Sequence, residues 1–338
     1  MKFIDSNYEI IPQEPGLLGV YKQIERAART SYKSEDKITE DSAKKMVDVL
    51  IKNHHYACLE HGTIYLKMTY DVSAIGSYRK SGILKYDENP YSKVVLDNSM
   101  DFRNAYITTN ARVLVENEWL DDLQYMCEPT EFHKKRITVK FITSIGITRE
   151  ILRHRVFSFM NESTRWCNYS KGKFGSELTF VIPQWIYDCR NEHASYIDPL
   201  TRISRSWLIK LTGEELVDSL CTIDRTVSSY CDVLEKIEAE YNFDVVEPDG
   251  YKLKPEEARG MLPMDTKSEL VMTGFVDDWI GFFLQRSYLS TTGRPHPDIQ
   301  KLADLLMLDF LDRGFITNAQ INRMKDEVYK KQVFEETS

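Results

Sequence analysis

The chain has no CxxC pair, no low-complexity run, no internal repeat and no long apolar stretch, and each absence removes a class of function. Six cysteines, at positions 58, 127, 167, 189, 221 and 231, are scattered through 338 residues. In a protein of this size they are expected to be reduced and partly buried, and a structural zinc site is not expected. No segment approaches the roughly 18 apolar residues of a membrane span, and the opening "MKFIDSNYEIIPQEPG" lacks the apolar core of a signal peptide. A cytoplasmic protein without membrane contact is expected. Positive charge is short too: 44 Lys and Arg against 52 Asp and Glu give a formal charge of −8. A general nucleic-acid binder needs a broad basic surface to displace condensed counterions, so that class is disfavoured. The same deficit makes a local cluster of arginines more informative.

What is present is ample core material, with 42% hydrophobic and 28% charged residues. Residues 17–32 and 42–54 repeat apolar residues at helical spacing, the second with Ala43, Met46, Val47, Leu50 and Ile51 on one stripe. "TIYLKMTY" (63–70) and "RITVKFIT" (136–143) alternate as half-buried strands do. Between them, "YDENPYSK" is turn-rich around Asn89-Pro90, and a helix is expected over 110–126. A further helix is expected over 144–160. Leu216, Leu220, Ile223, Val227, Tyr230, Leu234 and Ile237 form a heptad seam, which predicts one long helix over 213–241 packed in a bundle core. Pro255 opens another helix, and two more are expected over 268–287 and 297–312. The fold class is therefore α+β, helix-rich with a small antiparallel sheet.

The most chemically loaded stretch is "RHRVFSFMNES", residues 153–163. On a helix, Arg153 and Arg155 would project about 160° apart, so one anion could not easily engage both. Ser158, Asn161, Ser163, Arg165 and Asn168 follow, interleaved with Phe157, Phe159, Trp166 and Tyr169. Guanidinium forks beside aromatic faces suit a ligand carrying phosphates and a flat heterocycle. Ser163 has no neighbouring His and acid to activate it, so a hydrogen-bonding role suits it better than that of a nucleophile. His54, His55 and His61 permit a second reading, a metal-dependent nucleotide hydrolase, although their spacing is not that of HExxH.

Arg153-His154-Arg155 followed by seven residues and Ser163 resembles the RHR-x7-S signature of the flavin-dependent thymidylate synthases, and "TRWCNYSKGKFG" resembles a phage and bacterial branch of them. Other landmarks occur in the family's order. "RAARTSY" resembles its AAR-x-S segment at Ser31, and "HHYACLEH" its His-rich segment at His55, Glu60 and His61. "EEARGMLP" resembles AR-x-x-LP at Arg259, and "FFLQRSY" carries its late pocket arginine at Arg286, with His296 soon after. The chain departs from the pattern at Ala57 and Cys58, at Glu150 and Asn161, and at Phe275, Asp277 and Gly281, where the family's flavin-contacting Asn and Arg are missing.

The resemblance implies a single domain over 1–338 with insertions near 71–135 and 186–210. It implies reductive methylation of dUMP to dTMP, with 5,10-methylenetetrahydrofolate as carbon donor, FAD as cofactor and NADPH as reductant. Arg286 would be catalytic, stabilising ionised uracil. Glu150, Arg153, Ser163, Arg165, Arg259 and Arg286 would bind dUMP. Ser31, His55, Arg153, His154, Arg155 and Asn161 would bind FAD. No metal is implied, and the expected assembly is a homotetramer with active sites between subunits.

Overall fold

The computed structural model describes residues 1–71, 82–97, 102–167, 169, 178–195, 205–246 and 253–337. Its strands are β1 (Lys2–Ile4), β2 (Asn7–Ile11), β3 (Thr63–Asp71), β4 (Lys93–Leu96), β5 (Phe102–Asn110), β6 (Arg136–Ser144), β7 (Ser158–Asn161), β8 (Thr179–Val181) and β9 (Lys267–Phe275). The principal helices are α1 (Gly16–Thr30), α2 (Ser42–Lys52), α3 (Ala111–Glu116), α4 (Ile145–Ile151), α5 (Gln184–Ala194), α6 (Gly213–Cys221), α7 (Arg225–Val246), α8 (Val276–Arg286), α9 (Pro297–Asp312) and α10 (Asn318–Thr337). Among the described residues no helix is long and apolar enough to cross a membrane.

The central antiparallel sheet has the order β2-β6-β9-β7. A second antiparallel sheet runs β3-β5-β4, and β1 pairs in parallel with β8. The helix-rich α+β expectation is met. Expected strands 63–70 and 136–143 are β3 and β6, and the expected helices at 17–32, 42–54 and 297–312 are α1, α2 and α9.

Several boundaries differ from the sequence pattern, each for a physical reason. The segment 268–287 is not one helix but β9 followed by α8. Ser268 to Phe275 are buried without a break, so β9 has two covered faces and lacks the alternation that marks a half-buried strand. The helix expected over 144–160 ends at Ile151, and Ser158–Asn161 become β7, paired antiparallel to β9 from Ser158↔Thr273 to Asn161↔Leu270. The long helix over 213–241 is broken between α6 and α7, where Asp224 Oδ1 accepts the Thr226 and Val227 amides at 2.8 and 3.0 Å. Its seam residues Leu216, Leu220, Val227 and Leu234 are nevertheless buried in one core. The helix expected over 110–126 is shortened to α3 and a 3₁₀ turn at Leu120–Tyr125. Within the stretch read as an insertion, β5 pairs with β3 along its whole length, so its described part completes a sheet.

Three apolar cores result. One packs β6 and β9 against α8 and α9, another gathers α5, α6 and α7 with β1 and β8, and the third lies between α1, α2 and the β3 sheet. The first bears on the site. Trp279, Phe282, Phe283 and Phe310 form a ring cluster in it, and Phe157, just before β7, meets Trp279 edge-on at 4.8 Å. Each such ring removed from water contributes on the order of 2–3 kcal/mol.

Phe157 fits because position 274 of β9 is glycine: a Cβ there would stand 2.3 Å from Phe157 Cδ1. Gly274→Ala is therefore expected to cost roughly 1–3 kcal/mol by overpacking. Urea unfolding of Gly274→Ala, Phe157→Leu and the double variant tests this. The double should lose less than the sum of the singles; strict additivity would show that the two side chains do not meet.

Candidate active site

Arg286 closes α8, and its guanidinium is held on three sides. Nη1 donates to Glu150 Oε2 at 3.0 Å, Nη2 to the Glu150 carbonyl at 3.3 Å, and Nε to His154 Nε2 at 3.0 Å. Because an arginine only donates, His154 must accept at Nε2, so the neutral ring carries its proton on Nδ1. His154 is only 8% exposed and meets Phe282 edge-on at 5.0 Å. Burial, then the charges of Arg286 and Arg153, push its pKa down from 6.5 to about 4. The imidazole is thus neutral at ordinary pH and grips the fork without repelling it.

A guanidinium has five N–H groups. Three are engaged, which leaves two for a ligand. Glu150 and Arg286 line a cleft of about 600 Å³, whose other wall is Thr292, Gly293, Arg294 and His296. Gly293 turns that wall at φ +101°, backbone that side-chain-bearing residues rarely adopt.

A second group lies beyond the other end of β7. The Ser163 amide donates to the Ser31 carbonyl at 3.0 Å, so the two serines expected from separate segments are adjacent. Ser31 Oγ is buried and, among the described residues, has no hydrogen-bond partner. Arg165 Nε donates to Glu256 Oε2 at 2.7 Å, and its guanidinium lies 4.9 Å from the centre of the exposed Trp166 ring. Arg29, Tyr32, Lys33, Met46 and Trp166 line a cleft of about 510 Å³ here.

Beneath Ser163 lies a charge network that the sequence did not reveal. Lys267 reaches Glu162 at 3.2 Å and Glu269 at 2.6 Å, Lys140 reaches Glu269 at 2.5 Å, and Lys33 pairs with Glu269. Burial pushes the Glu269 carboxyl up, but Lys267, Lys33 and Lys140 outweigh it and hold it well below the usual carboxylate range. Such a network is a weak source of net stability, yet removing one member would strand a buried charge. Its one sequence signal was Glu162 beside Ser163; Lys267 and Glu269 lie on β9, Lys140 comes from β6, which pairs with β9, and Lys33 follows α1.

The remaining expected residues are more scattered. Arg153 and Arg155 follow α4 in a turn, so the helical 160° argument does not apply to them. Both are exposed and, among the described residues, make no side-chain hydrogen bond or ion pair, as is true of Arg259 on its 3₁₀ turn. Asn161 Oδ1 accepts from Ser268 Oγ at 3.2 Å. His55 is exposed, whereas His61 is fully buried, bonded through Nδ1 to Thr273 Oγ1 at 2.8 Å, and pushed by burial to about 3. His54 bonds Tyr56 instead. The three histidines therefore do not converge, and among the described residues no cluster of three or more His, Cys, Asp or Glu could hold a metal. The hydrolase reading is not favoured. Asn168 lies outside the described residues.

A family model described as "thymidylate synthase complementing protein" matches residues 98–312. No curated protein matches the chain. Among solved structures, a UMP/dUMP methylase, PolB from Streptomyces cacaoi bound with 5-Br dUMP, is similar at 16% identity and a TM-score of 0.39, over 92% of each chain. The same methylase bound with 5-Br UMP is similar at 14% identity and a TM-score of 0.38, over 92% of this chain and 91% of that one.

Burial of His154, with the Arg286 charge beside it, sets a pH dependence. The unfolded chain binds a proton at His154 near pH 6.5 and the folded chain only near 4, so stability is lost as pH falls through that window. In Arg286→Gln the His154 pKa is expected to rise only part of the way to 6.5, because burial, the larger cause, remains. Ring-proton NMR titration measures this, and an unmoved pKa would show that the Arg286 charge does not act on the imidazole.

Proposed function

This chain belongs to the thymidylate synthase complementing protein family, the flavin-dependent thymidylate synthases, and on that premise we propose that it methylates dUMP at C5 to give dTMP. The observation that carries the reading is the Arg286 fork, fixed by Glu150 and a neutral His154 with two N–H groups to spare beside a cleft. Activating C5 of uracil moves negative charge onto N3 and its flanking oxygens. A guanidinium that stays protonated and is already oriented stabilises that charge without reorganising. Arg286 is the catalytic residue in this reading, and Glu150 both orients it and borders the nucleotide.

Arg153, Arg259, Ser163 and Arg165 take the phosphate and the rest of dUMP. Ser31, His55, His154, Arg155 and Asn161, with Arg153, border FAD. Those residues fit such a cofactor: among the described residues Ser31 Oγ is a buried hydroxyl without a partner, and the two arginines are exposed cations without an acid. When bound, FAD supplies the two-electron reduction that completes the methyl group, with NADPH as reductant and methylenetetrahydrofolate as carbon donor. The contact missing at Phe275, Asp277 and Gly281 is not replaced in place, since Asp277 pairs with Lys134 at 3.1 Å.

The Arg286 cleft and the cleft lined by Tyr32, Lys33 and Trp166, chain neighbours of Ser31 and Arg165, share no lining residue. This supports a site assembled from two copies, one giving Arg286, Glu150 and His154, the other Ser163 and Arg165, within a homotetramer.

Release of tritium from 5-tritiated dUMP, with methylenetetrahydrofolate and NADPH, tests the synthase reading. FAD-loaded protein is expected to release it, and absence of release would sink the reading. Arg286→Ala should lower turnover by at least about 10²–10³-fold, the usual effect of deleting a preorganised donor. FAD should remain bound; loss of FAD as the main effect would show that Arg286 is misassigned.

A further inference from the structure

All six cysteines are free thiols, and two of them touch: Cys221 Sγ and Cys231 Sγ stand 2.8 Å apart. Among the described residues no other two cysteine sulfurs are in contact. The break between α6 and α7 brings the pair together. Cys221 is the last residue of α6, and Cys231 lies on α7 one turn beyond Val227, on the stripe that also carries Leu234. Leu216, Leu220, Val227 and Leu234 share one core, which sets the two sulfurs at its rim.

The joint itself is fixed from several sides. The Asp224 amide donates to the Leu220 carbonyl at 2.8 Å, Asp224 Oδ1 caps α7, and Asp224 Oδ2 meets His193 Nε2 of α5 at 2.8 Å. Cys221 Sγ also lies 3.9 Å from the Val227 carbonyl. Packed helices therefore hold the thiols in contact, and a sub-ångström approach brings them to the bonded distance of about 2.05 Å.

Access and acidity single out one of the two. Cys231 is only 7% exposed, while Cys221 is partly exposed. Burial pushes both thiols up; the contact between them then lowers Cys221 and raises Cys231 further. Cys221 is the reachable sulfur and the better source of thiolate, the species that attacks a disulfide.

We propose that Cys221 and Cys231 are an oxidisable pair that closes into a disulfide by exchange with a small-molecule disulfide, pinning α6 to α7. The Cys221 thiolate attacks one sulfur of the small molecule, forming a mixed disulfide and releasing one thiol. Cys231 then loses its proton and attacks Cys221 Sγ, releasing the second. Two protein thiols are oxidised to one disulfide, and one small disulfide is reduced to two thiols, whose sulfurs take up the two protons. Neither cysteine lines the Arg286 cleft or the cleft beside Ser31, so this chemistry is independent of the synthase reading.

Treating the folded full chain with oxidised glutathione, then alkylating the remaining thiols in denaturant, tests the pair by mass spectrometry. Trypsin cuts after Lys210, Arg225 and Lys236, so Cys221 and Cys231 fall on separate peptides, 211–225 and 226–236. The expected product is these two peptides joined, with the other four cysteines in no cross-link. Six uncross-linked cysteines, glutathione retained on Cys221, or either member joined to a different cysteine would overturn the proposal. The thermal midpoint of the cross-linked chain should lie about 5 °C above that of the reduced chain, because the closed ring restricts the unfolded state. Dithiothreitol should remove that rise, and Cys221→Ser should show neither cross-link nor rise. A cross-linked chain with the midpoint of the reduced one would overturn the pinning of α6 to α7.

Discussion

The guanidinium of Arg286 ties the end of α8 to a distant segment, the last turn of α4 and the turn that follows it. It ends α8, accepts its carboxylate from the last turn of α4, and takes its third contact from the turn that carries His154. That turn is held from below as well, where Phe157 and Phe282 pack with Trp279 over β9. The fork is therefore part of a packed unit, and its free N–H groups keep one direction. A long cationic side chain at a helix end would otherwise lose much of its orientation to rotamer freedom.

Electrostatics divides the remaining charges into those already spent and those left over. The three lysines under Ser163 are paired with Glu162, Glu269 and Glu35 and tie β6, β9 and the end of α1 to the segment after β7. Arg153, Arg155 and Arg259 have no described acid and are exposed. In a chain of net charge −8, unpaired arginines near one motif are unspent binding capacity. Neutral His154 between Arg153 and Arg286 limits the repulsion such a cluster would otherwise carry.

The sequence revealed the parts with one wet face. Residues of α1, α2 and β3 meet solvent on one side, so their periodicity was visible. β9 was not legible, because a strand covered on both faces shows only a continuous run, and with β9 unseen neither β7 nor the Lys–Glu network could be drawn. The heptad seam correctly marked a core but concealed the break at Asp224, since both helices continue the same stripe. The motif residues do meet across the chain: Ser31 meets Ser163, and Arg286 meets Glu150 and His154. Their separation into two groups, one around Arg286 and one around Ser163, was not legible, because no spacing rule says which motif residues face one another.

If the two groups belong to one site shared between copies, mixing two inactive proteins should reveal it. Arg286→Ala and Ser163→Ala damage different halves of the proposed site. Co-refolded or subunit-exchanged, they are expected to regain dTMP formation, because some pairings then assemble one intact site. A mixture that forms mixed oligomers yet stays as inactive as either parent would contradict a site shared between copies.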